Sequence, residues 1–178
     1  MRKSEIRRLR EQEIISLLNK LGVADVEIVK KLNISNLGET SDRNVLRVLN
    51  KMVDDGLLDC MRKDIKLFTI KGSGFGHYEH RLLMNRFLVR KGLFHKARIE
   101  PKIKIGNDSF QPDFIVPMKD GILTAKDYIY YEVDRRQKRK ANMLKIDRYK
   151  RLGLKFEIVC PSDRTYMWKG CVIHEINV

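Results

Sequence analysis

The chain is punctuated at Gly72-Ser73-Gly74, and the order of hydrophobic periods on the two sides of that break leaves few folds open. Before it, apolar residues recur mostly at three- and four-residue spacings, the period of a helix that buries one face. After it, short runs alternate apolar with polar residues, as half-buried strands do, between two further helical stretches. Such a pattern predicts an α+β protein of two small domains, 1–74 and 75–178, joined at a glycine-rich break.

The first half predicts three helices and a hairpin. Residues 4–21 place Ile6, Leu9, Ile14, Leu17, Leu18 and Leu21 on one stripe that stops at Gly22, and 24–32 carry Val26, Ile28, Val29 and Leu32. The third helix begins after Thr40 or Ser41, both good N-caps. It runs through Val45, Leu49 and Met52 to Asp54-Asp55, where Gly56 supplies the stop. Residues 57–61 and 65–70 read as strands around the charged tip Arg62-Lys63-Asp64. Three helices followed by a basic hairpin resemble a winged helix-turn-helix, most clearly in the phrases LNKMVDDGLL and LFTIKGSG. In that reading the third helix is the DNA reader: Arg43, Asn44, Arg47, Asn50 and Lys51 offer donors to phosphates and base edges, and Arg62, Lys63 and Lys66 add the wing. Charges on an amphipathic helix also form plain solvated faces, and Asp42, Asp54 and Asp55 dilute the field, so a winged helix used for protein contacts stays open beside the DNA reader.

Charge favours DNA. Thirty-seven Lys and Arg against 23 Asp and Glu leave a net +14 and a pI near 9.8, which suits a polyanion bound through counterion release. The basic residues are spread along the chain, with the larger excess after residue 75, whereas a membrane-surface protein concentrates them on one amphipathic helix. No apolar run approaches the roughly 20 residues that cross a bilayer, and the opening MRKSEIRRLREQE lacks the apolar stretch of a signal peptide. A cytoplasmic protein without a membrane partner is expected. Cys60, Cys160 and Cys171 show no CxxC spacing and are expected as reduced thiols.

In the second half, 79–91 read as a helix, 97–105, 110–117 and 128–134 as strands, 138–152 as a basic helix, and 154–160 and 171–176 as strands of a mixed sheet. Two carboxylate positions carry chemistry in that order. Pro112-Asp113 opens the second strand, and Glu132-Val133-Asp134 ends the third with Glu132 and Asp134 on one face. Acids from neighbouring strands can converge on a hard cation such as Mg²⁺, which takes oxygen ligands and polarises a phosphate. Isolated carboxylates at strand ends are also ordinary solvent-facing caps.

The sequence PDF, then EVDRR, then Lys145 and Tyr149 in the basic helix resembles the PD-(D/E)xK restriction-endonuclease-like fold. More closely, a winged helix followed by a helix led by His77 and His80, then PD, EVDR and K-x-x-x-Y, resembles the replication-relaxation proteins of plasmids, phages and conjugative elements, which include relaxases used in mobilization. The resemblance spans most of the chain and rests on short motifs. It implies a divalent-metal-dependent DNA nicking enzyme in which Asp113, Glu132 and Asp134 hold Mg²⁺ or Mn²⁺ and Asp113, Glu132 and Lys145 are catalytic. The nuclease pattern puts lysine two residues after Glu132, where this chain has Asp134. Either Lys145, with Lys138 or Lys140 behind it, replaces that lysine from the helix, or the centre is silent and the protein is a replication accessory or transcriptional regulator. Arg135, Arg136 and Lys140 belong to a one-signed run suited to phosphate, though such a run can also be a solvated helix face. A covalent role for Tyr149 stays open. Partners implied are DNA, a second copy of the chain, and replication or mobilization proteins. His77 and His80 lack a third ligand, and GSGFG lacks the spacing of a nucleotide loop and reads as a linker.

Overall fold

The computed structural model describes residues 3–32, 37, 39–135, 139–168 and 170–176, with the backbone alone at 139–142, 166 and 167. The chain is a mixed α+β protein that divides by contact into two compact units, Met1–Asn85 and Arg86–Val178.

The first unit holds α1 (Lys3–Leu21), α2 (Val26–Lys31), α3 (Asp42–Asp54) and the antiparallel hairpin β1 (Leu58–Arg62) and β2 (Lys66–Ile70). Asp25 caps α2 by accepting a 2.8 Å hydrogen bond from the Ile28 amide, and Ser41 caps α3 by accepting one from Asn44 at 3.3 Å. Buried Val45, Leu49 and Met52 at i, i+4 and i+7 turn one face of α3 onto a core that includes Leu17, Leu18, Ile28 and Phe68. The second helix is shorter than its apolar pattern. Ala24 is in extended conformation instead, exchanging hydrogen bonds with Phe68 at 3.1 and 2.9 Å as a bridge beside the hairpin.

The boundary between units falls inside α4 (Tyr78–Arg90). Beyond it come β3 (Arg98–Ile99), β4 (Ile103–Ile105), β5 (Asp108–Phe110), β6 (Phe114–Pro117), β7 (Tyr128–Val133), α5 (Arg139–Arg151), β8 (Lys155–Cys160) and β9 (Ile173–Glu175). The sheet order is β3-β6-β7-β8-β9, antiparallel up to β7 and parallel from β7 to β9, so the sheet is mixed. Two expected strands are each cut in two. Pro101 and Pro112 have no N–H to give a ladder, and Glu100 lies at φ 46°, so β4 and β5 leave the main sheet and pair with each other.

Alternation along β7 sends its side chains to two different neighbours. Tyr130 packs with Phe110, Ile115, Tyr149 and Leu154 on the α5 side. Tyr131 stacks on Phe114 at 4.5 Å and meets Phe87 and His174 on the other, where His174 Nε2 lies 2.6 Å from Glu157 Oε2. Among the described residues no helix is long and apolar enough to cross a membrane.

Candidate functional site

Three elements of the second unit bring together Asp113, Glu132, Lys145 and Tyr149. Antiparallel pairing sets Phe114 opposite Tyr131, which places Asp113 across from Glu132 one step further along the ladder. The Asp113 carboxylate accepts a 2.6 Å hydrogen bond from the Val133 amide and so is tied to the strand that carries Glu132. From α5, one helical turn apart, Lys145 Nζ donates to Glu132 Oε2 and the Tyr149 hydroxyl donates to Glu132 Oε1 at 2.5 Å. Spacing i, i+4 puts both donors on one helix face, so the two oxygens of one carboxylate are held from above. The Tyr149 ring is fixed edge-on to Phe110 and stacked on Phe156, which sets the height of its hydroxyl.

Glu132 is only 3% exposed, and burial followed by the charge of Asp113 pushes its carboxyl up to about 7, against the opposing pull of Lys145 and Tyr149. The Tyr149 hydroxyl is pushed up as well, by burial first and then by Glu132. A phenolate there is costly, so Tyr149 keeps its proton, donates it in the hydrogen bond to Glu132 Oε1 and positions that carboxyl. A raised carboxyl binds more protons in the folded than in the unfolded chain between its ordinary value and about 7. Stability supplied by this group is therefore present at low pH and lost as pH rises through that window. In chelator, the wild type is expected to lose on the order of 2 kcal/mol more stability than Glu132→Gln between pH 5 and 8. Thermal melts across pH check this, and parallel wild-type and variant profiles would refute it.

Asp134 takes other partners. It is 1% exposed, and its oxygens accept 3.1 Å bonds from Arg164 Nε and Nη2 and a 2.7 Å bond from Trp168 Nε1. Its own amide donates to Val159. The structure brings Asp113, Glu132 and Lys145 to one point, whereas the oxygens of Asp134 are committed to the 3-10 turn Ser162–Trp168. Among the described residues no group of three or more His, Cys, Asp or Glu side chains is placed to hold a metal. The Asp113–Glu132 pair offers oxygen donors of the kind Mg²⁺ or Mn²⁺ takes when water and phosphate complete its shell, in competition with Lys145 for Glu132.

In the first unit, Arg43, Asn44 and Arg47 are exposed and line a groove along α3 with Asn50, Lys51 and Asp54. Lys51 is paired with Asp55 at 2.7 Å, and Lys66 reaches Asn50 at 3.5 Å. Arg62 and Lys63 are exposed at the hairpin tip, with Lys63 donating to the Tyr78 hydroxyl at 2.6 Å. Arg135 is half-buried beside Asp134. Arg136 and Lys138 lie outside the described residues, and Lys140 is placed only as part of α5.

Sequence reasoning missed Arg164 and Trp168 as partners of Asp134. The available signal was an arginine and a tryptophan following an apolar strand, which no spacing rule singles out. Glu157 and His174 were missed as well, although glutamate inside the apolar run KFEIVC marks a buried charge in need of a partner. The chain matches no protein-family model, and no curated protein matches it.

Proposed function

We propose that the chain is a DNA-binding protein of the replication-relaxation type that nicks DNA with a divalent cation. In this reading the first unit is a winged helix-turn-helix and the second a PD-(D/E)xK-like nuclease domain. The observation that carries it is the convergence of Asp113, just before β6, with Glu132 of β7 and Lys145 of α5. Asp113 and Glu132 would hold Mg²⁺ or Mn²⁺, which when bound polarises the scissile phosphate and acidifies a water. Lys145 supplies positive charge at the same carboxylate in place of the lysine expected at position 134, and Tyr149 positions Glu132. The exposed α3 face with Arg43 and Arg47 reads the duplex, and Arg62 and Lys63 form the wing contact. The net charge of +14 supports a polyanionic partner.

A second reading is favoured by one specific observation. Glu132 is sealed from solvent with both oxygens already taken, as suits a silent centre in a DNA-holding accessory or regulator. Supercoiled plasmid incubated with purified protein and Mn²⁺ separates the two. Open-circle product supports the enzyme, and retarded but intact plasmid supports the binder. Absence of salt-sensitive retardation would overturn both. Arg47→Ala is expected to weaken duplex binding about tenfold in a fluorescence-anisotropy titration, as loss of one phosphate or base contact does. An unchanged affinity would remove α3 from the interface.

A further inference from the structure

The first unit contains a pocket of about 350 Å³ that neither carboxylates nor a core side chain fills, walled by the end of α1, the end of β2 and residues 73–78. Its floor is Gly22. Thr69 Oγ1 donates to the Gly22 carbonyl at 2.7 Å, and the Gly22 amide closes α1 onto Leu18 at 2.7 Å. Gly22 has φ +74°, and a Cβ there would stand 2.0 Å from Arg81 Nη1, so the guanidinium lies directly across the glycine. One turn along α4, Asn85 Nδ2 donates to the carbonyls of Leu21 at 3.1 Å and Val23 at 2.7 Å, which fixes the helix face that carries Arg81.

Arg81 is therefore a half-buried cation held in place by its surroundings. Among the described residues its guanidinium has no ion pair or hydrogen bond, and none of the pocket's lining residues is acidic. Glu79, the acid nearest in sequence, accepts from the Tyr78 hydroxyl at 3.2 Å and is not part of the wall. A half-buried guanidinium on the wall of a pocket that has no acidic lining residue suits an anion. Its planar fork matches phosphate. Phe75 and Tyr78 give the pocket aromatic walls, and its volume lies at the small end of the range for small-molecule sites, roughly 300 to 1,000 Å³.

We propose that this pocket binds a phosphate group through Arg81, carried either by a free nucleotide or by the DNA backbone. The test uses the full chain in chelator with two probes, adenosine monophosphate and a short DNA duplex. It compares wild type with Arg81→Gln and with Ser73→Asp, which sets a carboxylate on the exposed rim away from the core. If the source is a free nucleotide, adenosine monophosphate raises the melting temperature saturably beyond matched potassium chloride, and both variants weaken its binding about tenfold or more. If the source is DNA, the nucleotide gives no such gain while both variants weaken duplex binding to a similar extent. Ser73→Asp keeps the test decisive should Arg81→Gln unfold. The inference is overturned if neither probe distinguishes the variants from wild type. The nucleotide arm stands or falls without reference to cleavage or to α3.

Discussion

On the proposed nuclease reading, Asp113→Ala is expected to leave supercoiled plasmid closed in Mn²⁺ where the wild type opens it, with a loss of about 100-fold or more. Removing one carboxylate of a two-carboxylate centre takes away the charge that holds the cation, and such a cation contributes several kcal/mol at the developing phosphate charge. Asp113 also accepts from the Val133 amide, so the alanine variant carries a folding cost of about 1 to 2 kcal/mol that must be separated from chemistry. Asp113→Asn does this, because it keeps an oxygen for Val133 and removes the charge. The same reading expects Mn²⁺ to raise the melting temperature of the wild type and of neither variant. Glu132→Ala should behave as Asp113→Ala does. Nicking by Asp113→Asn at the wild-type rate would place cleavage elsewhere or in a contaminant.

Asp134→Ala should be the most destabilising single change at the acidic positions, lowering stability by about 3 kcal/mol in urea titration. The carboxylate accepts from Arg164 Nε and Nη2 and from Trp168 Nε1, and its loss takes that shared acceptor and counter-charge from a mostly buried guanidinium and a buried indole N–H. The cost arises from the partners left behind, so adding Arg164→Met to Asp134→Leu should recover part of it, and a double-mutant cycle would register that recovery as coupling. A metal ligand at this position behaves differently, since its alanine variant keeps apo stability and loses the response to Mn²⁺. Full apo stability in Asp134→Ala would overturn the structural assignment.

Asp113 and Glu132 were legible because strand ends announce themselves by apolar alternation, and an acid at such an end stands out. Lys145 and Tyr149 were legible as a pair because i, i+4 on a helix names a face even when its target is unknown. The job of Asp134 was hidden, since its partners lie 30 and 34 residues on, in a turn without any period. Local pattern also overreached at 97–105 and 110–117, where alternation continued past prolines that the ladder could not. The segment 72–76 reads as a linker because its three glycines look the same in sequence whether they span a gap or border a pocket.

The two-sided packing of β7 has a consequence for how this chain can change length. Adding or deleting one residue within β7 would exchange Glu132 for its neighbour on the α5 side and turn Tyr131 away from Phe114, breaking both faces at once. Between Pro117 and Tyr128, where Met118, Lys119, Asp120 and Ile122 are exposed, the count is much less constrained. Length variants should therefore be tolerated in that connection and excluded from the six residues that follow it.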